Sequence, residues 1–527
     1  MTNGTAGGER VSILSIEFLG FSALMIAAYY ILPLRVRSLA LLGFSAAFSI
    51  MAGWPGAAYL LSVAAITWLG ALGLERLRRA EAARGSGRGT GGGRPLQRLL
   101  LFFLLTLELG ALAFLKFYAD LAAGLNAGLL KASPLPVPEL IIPLGLSYFT
   151  FQSAGYLIDV FRGKAEAAKN PLRTMLFVGY YLYLPQGPIS TWREIEPSLS
   201  RGNRCDYTGF VSGFQLLVWG YFKKLVVADR LALFTDAVLK ARPKMPGWMA
   251  MGGAVLYMIR LYADFSGGMD VVRGVSRMVG VELPENFRRP FFATSVAEYW
   301  RRWHITLGAW FRSYLLYPLT TCRFGLFLGR VSSRLLGKKT GRRIPAALAT
   351  VLVFLLIGVW HSAQMNAVYF GLYFGVLMAL SLLLDPFWKW LGKKLRLPKG
   401  GWMTPLRLAR TWLLVLLPQF FAFAPTPEKA LSLLERAFTF SEWDFSTFTA
   451  RCLIVMPALE WWILGGAFLL MLTVDLLAEK KPDLSTRLAR RPVYIRWPLI
   501  LLLILIVLVF GCYGTDFVAA DFVYMQF

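Results

Sequence analysis

Long apolar runs alternate with short polar gaps along almost the whole chain. The first runs are Val11–Leu32, Ser38–Met51, Ala57–Leu74 and Leu99–Lys116, followed by Ile141–Val160, Thr174–Leu184, Phe210–Val226 and Met249–Phe265. After a more polar stretch come Ile344–Trp360, Ala367–Leu384, Leu408–Phe423, Trp461–Leu477 and Trp497–Cys512. A helix needs about 20 apolar residues to cross the hydrocarbon of a bilayer. Backbone in that medium must satisfy its own hydrogen bonds, which helices do. The pattern predicts an all-α polytopic membrane protein of about ten to thirteen transmembrane helices, the shorter runs forming re-entrant or interfacial helices. The first run carries Glu17, has no basic stretch before it and leads into more apolar sequence without a small-residue cleavage site. It reads as a first span and not as a cleaved signal peptide.

Composition and charge add direction. Of 527 residues, 57% are hydrophobic and 16% charged, against about 25% charged in soluble domains. That excludes a disordered chain and argues against a soluble globular enzyme. The formal net charge is nevertheless +26. The bases sit in gaps between apolar runs and form no continuous basic domain, which argues against a nucleic-acid-binding protein. Four gaps are basic: Glu75–Arg98, Cys322–Arg343, Trp388–Arg407 and Lys480–Arg496. Positive charge beside membrane spans marks the cytoplasmic side, so these gaps read as cytoplasmic loops. The segment Ala424–Glu460 and the tail Tyr513–Phe527 then fall on the external face. Within the first gap, Arg84–Arg94 is Gly-rich and reads as a flexible linker. No separate domain is evident: residues 1–496 form a membrane core, with 75–98 as a flexible cytoplasmic loop, and 497–527 carry the last span and the external tail.

Residues with chemistry are scarce. There are two histidines, His304 and His361, and four scattered cysteines; no His/Cys cluster with metal-ligand spacing exists. His304 closes the segment Pro284–His304, which is rich in Trp and Arg. There Thr294 or Ser295 caps a helix with Glu298 in capping-box spacing. Trp300 and His304 share one face of that helix, and Glu298 and Arg302 pair across one turn. A basic interfacial helix with Trp anchors is the alternative reading. His361 follows a long apolar run in Gly358-Val-Trp-His361 with no charged neighbour in sequence. Imidazole titrates near neutrality and suits general-base work; a structural histidine bonded to a backbone carbonyl is the alternative. Asp264 and Asp270, near Arg260 and Arg273, read as structural ion pairs. Glu17 is a buried-acid candidate with no assigned role.

Several ordered motifs then resemble the membrane-bound O-acyltransferases, most nearly their bacterial alginate O-acetyltransferase-like branch. They are Ser15–Leu19, Ile31–Arg35, Pro143–Gln152, Tyr156–Arg162, Gln186–Ile189, Phe222–Arg230, Asp264–Gly267, Pro284–Phe287, Trp300–His304 and Gly358–His361. The resemblance implies a ring of helices around a central tunnel. An acyl thioester donor, acetyl-CoA or an acyl-carrier protein, arrives from the cytoplasm with no bound cofactor and no metal. The acceptor is an envelope or secreted polysaccharide, or a downstream extracytoplasmic acyltransferase that completes delivery. The setting implied is the bacterial cytoplasmic membrane. His361 matches the family's invariant histidine and His304 the second histidine of this branch. Trp300, Trp303, Trp360, Asp264, Ser266 and Asn286, in or beside these motifs, are the candidate substrate-binding residues.

Two positions depart from the family pattern: Ser362 stands where Gly is usual, and Tyr317–Cys322 lacks a Gly-Gly-Asn. The chain ends Phe522-Val-Tyr524-Met-Gln-Phe527, which resembles the Phe-x-Tyr-x-x-Phe ending of the partner peptide in teichoic-acid D-alanylation. That makes Tyr524 a candidate acyl carrier, against an aromatic interfacial anchor. Rival functions are D-alanyl transfer to teichoic acid and, from another class, a lipid or solute transporter. The basic loops also suit anionic lipid.

Overall fold

The computed structural model describes residues 12–83, 95–131, 133–138, 140–240, 245–395 and 401–513. Among these residues the secondary structure is helical, with no strand. Seven helices are long and apolar enough to cross a membrane: Leu34–Met51, Trp54–Ala83, Pro95–Ala127, Ile344–His361, Met365–Lys394, Ala458–Lys480 and Val493–Phe510. Ile16–Ile31 is a shorter apolar helix.

Burial runs opposite to what water would impose. Val493–Phe510 is the most hydrophobic of the seven, yet only 17% of its span is buried in protein. Leu501, Leu502, Leu505 and Leu508 all lie open on its surface. Such a surface is stable only against hydrocarbon, so this is a multi-pass membrane protein.

Several shorter runs are not simple crossings. Thr174–Leu184 becomes the nine-residue helix Pro171–Gly179 and the 3-10 turn Tyr181–Tyr183. Tyr180, Tyr181 and Tyr183 there are fully buried. Leu408–Phe423 is split into Thr404–Leu416 and Gln419–Phe423, because Pro418 between them has no N–H to continue the ladder.

Two basic gaps differ from the expected loops. Cys322–Arg343 is mostly a helix, Arg323–Gly341, interrupted at Gly337 with φ 78°. Its arginines and lysines are exposed, and the helical turns on either side of Gly337 satisfy their own backbone, so a basic gap between apolar runs is not bound to be irregular chain. Likewise, the helix Trp54–Ala83 runs well into the 75–98 gap and the next begins at Pro95; residues 84–94 lie outside the described residues.

The chain forms two compact units. One comprises Met1–Tyr221, Gly268–Pro284 and Ser485–Leu502. Within it Glu108 ties three helices, accepting from Ser153 at 2.7 Å and from Thr67 at 3.2 Å. The other comprises Phe222–Gly267, Glu285–Leu484 and Leu503–Phe527. Its core gathers Phe234, Val238, Trp248, Tyr257, Phe420, Phe423 and Leu433. Both histidines belong to this second unit.

Candidate active site

Local sequence builds the first half of the site. Ser295 caps the helix Val296–Arg302 by accepting from the Glu298 N–H. Glu298 accepts in turn from the Thr294 N–H and hydroxyl at 2.9 and 2.8 Å, and pairs with Arg302 at 2.8 Å. These donors hold the Glu298 carboxyl below its ordinary pKa against the opposing effect of burial. Arg302 also pairs with Glu479.

The expected continuous helix through His304 does not form. The chain breaks after Arg302 and resumes as Ile305–Phe311, with His304 between them in a left-handed conformation, φ 43° and ψ 55°. Trp300 and His304 therefore do not share a helix face. That conformation costs roughly 1–2 kcal/mol for a side-chain-bearing residue, and hydrogen bonds from the Pro284–Arg289 segment offset it. The Arg288 N–H donates to the Arg302 carbonyl at 2.8 Å, and the Ile305 N–H to the Asn286 carbonyl at 2.9 Å. The Asn286 side-chain oxygen accepts from the Thr306 N–H at 3.1 Å and from its hydroxyl at 3.0 Å. It lies 3.1 Å from His304 Nδ1.

The second half comes from a helix pair. Ile344–His361 packs on Met365–Lys394 so tightly that a Cβ on Gly358 would lie 2.3 Å from the Ala367 carbonyl oxygen. One on Gly371 would lie 2.5 Å from the Phe354 carbonyl oxygen. Small residues at such a seam let two membrane helices approach closely, and this seam sets where the helix end carrying His361 stands. Ser362 follows with φ −158°, extended backbone open to any residue. The departure from Gly at this position therefore imposes no backbone strain.

His304, His361, Trp300, Trp303 and Ser362 line one cavity of about 450 Å³. Trp360 is not on its wall; its ring centroid lies 6.3 Å from that of His304 and 4.6 Å from that of His361. Trp303 stacks on Tyr299 and meets Phe287 edge-on. His304 is 3% exposed. Burial, reinforced by His361, pushes its imidazole well below the ordinary histidine pKa, so it is neutral at neutral pH.

Asp264 and Ser266 are placed elsewhere. Asp264 pairs with Lys224 at 2.7 Å, and Lys224 also pairs with Asp229 at 2.8 Å. Ser266 accepts from Lys223 at 2.8 Å. Of the expected arginine neighbours, Arg273 does pair with Asp270, while Arg260 pairs with Asp236 in place of Asp264. The helix turns Lys224 toward Asp264, a juxtaposition that sequence distance hides. Asn286 is not on the cavity wall either; it holds His304.

Other residues on the wall escaped the sequence reading. Asn366, Gln419, Arg301 and Arg312 line the cavity. Trp300 Nε1, Asn366 Oδ1 and Gln419 Oε1 are buried without a hydrogen-bond partner among the described residues. A ligand bearing hydroxyls or carbonyls would complement them. Asn366 lies close enough to His361 in sequence to be suspected; nothing near Gln419 marks it. Among the described residues no group of three or more His, Cys, Asp or Glu could hold a metal ion. Tyr524 lies outside the described residues.

No family model matches the chain. Individual relatives do. The protein named "Probable alginate O-acetylase AlgI" of Azotobacter vinelandii is 28% identical over 439 residues, covering 81% of this chain and 77% of the relative. The peptidoglycan O-acetyltransferase of Helicobacter pylori is 29% identical, covering 54% of this chain and 55% of its own. The teichoic acid D-alanyltransferase of Bacillus subtilis is 27% identical, covering 55% and 71%. The helical membrane architecture, the two histidines on one cavity and these relatives agree in supporting an O-acyltransferase, and over most of its length the chain is similar to the alginate O-acetylases.

Proposed function

We propose that the protein transfers an acyl group, in the first instance acetyl, from an activated thioester donor at the cytoplasmic face to hydroxyls of an envelope or secreted polysaccharide. The observation that carries this reading is the convergence of the chain's two histidines on one cavity. The extent of the alginate O-acetylase relatives favours acetyl over D-alanyl. The setting is the bacterial cytoplasmic membrane, with the basic gaps inside and the tail outside.

In the chemistry, the His361 imidazole accepts the proton of the attacking hydroxyl. The hydroxyl oxygen bonds to the thioester carbonyl carbon, the C–S bond breaks, and the departing thiolate takes the proton back. General-base help of this kind contributes about 10²–10⁴-fold. Apolar walls strengthen any hydrogen bond to the developing oxyanion. Tyr524 is the first acceptor: its hydroxyl is acylated from outside and hands the group to the polymer or to an extracytoplasmic acyltransferase.

The test is ester formation on extracted polysaccharide by cells or proteoliposomes carrying the protein. His361→Ala removes transfer while the protein stays folded; wild-type transfer in that variant overturns the assignment. Mass spectrometry of the C-terminal peptide after incubation with donor shows acylated Tyr524. Full activity of Tyr524→Phe, with no acylated peptide, removes the relay and leaves the transferase. D-alanyl ester on teichoic acid in place of acetyl ester would establish the second reading, which the D-alanyltransferase relatives and the tail motif favour.

A further inference from the structure

The contacts of Asn286 decide which nitrogen of His304 carries its proton. One Asn286 side-chain atom takes hydrogen bonds from the Thr306 backbone N–H, 3.1 Å away, and from the Thr306 hydroxyl, 3.0 Å away. A backbone N–H only donates, so that atom is the amide oxygen and not its nitrogen. The same oxygen lies 3.1 Å from His304 Nδ1. An oxygen cannot donate there, so Nδ1 must carry the hydrogen, and in a neutral imidazole Nε2 is then the bare acceptor.

The surroundings preserve this arrangement. Asn286 is 1% and His304 3% exposed, so water does not compete for either group. The left-handed turn at His304 fixes the ring's origin, and the Ile305 N–H to Asn286 carbonyl bond fixes the Asn286 segment beside it. The Phe265 ring meets the imidazole edge-on at 5.0 Å from the helix Gly247–Met278. The titratable group acting on His304 is His361, at the end of Ile344–His361; burial and that neighbour both favour the neutral ring. Asp264, beside Phe265, is engaged by Lys224.

We propose that Asn286 is a positioning residue that holds His304 in the Nδ1–H tautomer, so that His304 works through Nε2 as a proton acceptor and not as a hydrogen-bond donor to the oxyanion. While neutral, His304 then takes up at Nε2 the proton that His361 has accepted from the attacking hydroxyl, and passes it back through His361 when the thiolate leaves. This proposal rests on the reading that the cavity performs acyl transfer. It assigns Asn286, a candidate substrate contact by sequence, to the histidine.

The composition makes the test clean, because two histidines give two imidazoles. Full-length protein labelled with ¹⁵N-histidine in detergent or nanodiscs should show one imidazole protonated at Nδ1, assigned to His304 by its persistence in His361→Gln. In Asn286→Leu that signature is lost and kcat falls about 10²-fold with KM changed less than threefold. In Asn286→Asp the carboxylate still accepts from Nδ1–H and also stabilises the imidazolium. Activity above neutrality therefore largely returns, while the acid limb of the rate profile moves up by about one pH unit or more. A merely structural asparagine would give no such limb shift. A His304 protonated at Nε2 in the wild type, or an unshifted limb in an active Asn286→Asp, overturns the proposal whatever the fate of the transferase reading. Wild-type transfer by His304→Gln, with the Nδ1–H signature intact in the parent, would instead remove His304 from catalysis and overturn only its proton-accepting role.

Discussion

The chain writes Trp-His twice and builds two different environments from it. Trp303-His304 stands at a break between two seven-residue helices, in a left-handed turn, deeply buried and tied to Asn286. Trp360-His361 ends an 18-residue apolar helix in regular geometry, half-buried, with its position set by a glycine seam. The first histidine is oriented by polar contacts to a neighbouring loop, and the second by how closely two helix backbones approach. The proposed catalytic pair thus draws on two kinds of rigidity, and each is expected to fail under a different substitution.

The largest effect should come from the more accessible partner. His361→Ala is expected to lower transfer by at least about 10³-fold with an unchanged thermal melting profile; a loss below tenfold would make the two histidines unequal in the opposite sense. Disrupting the glycine seam comes next. Gly358→Val places side-chain atoms against the Ala367 carbonyl and should destabilise the protein by about 1–3 kcal/mol, read as a lowered Tm in detergent. Activity should fall with it, while the His304 tautomer signature persists. Loss of that signature in Gly358→Val would show the two environments to be coupled.

The pH response separates them further. The folded pKa of His304 lies below its ordinary value, so the unfolded state binds the proton more readily. The stability this neutral ring contributes is present above about pH 6.5 and is lost as pH falls below it. Melting measured from pH 8 to pH 5 should therefore show destabilisation on the acid side, and His304→Phe should flatten that slope. An unchanged slope would place the titration elsewhere. The smallest effect belongs to the cap: Ser295→Ala removes the acceptor for the Glu298 N–H and should cost about 1 kcal/mol, with kcat within twofold. A larger loss of kcat would mean that the Val296–Arg302 helix steers His304 as Asn286 does.

Much of the site was legible before any coordinates. Both histidines, Trp300, Trp303 and the Ser295–Glu298 cap follow from residue type and short spacing, and the structure places these histidines and tryptophans on one wall. Asp264 was legible as an ion pair but not its partner, since Lys224 is remote in sequence and adjacent only across packed helices. Asn286 was read as a substrate contact because nothing local reveals that its oxygen faces His304. Gln419 was invisible, being one amide among apolar residues.

Hydropathy and charge, summed over spans, determined a helical multi-pass membrane protein, because a run of about 20 apolar residues has few stable places other than a bilayer. Rare residues in short motifs singled out His304, His361, Trp300 and Trp303, which line one cavity. The tertiary structure alone decided the break at His304, the glycine seam behind His361 and the oxygen that fixes the imidazole proton. Each of these is a contact between separate segments of the chain, and the free energy of such a contact is recorded in neither segment by itself.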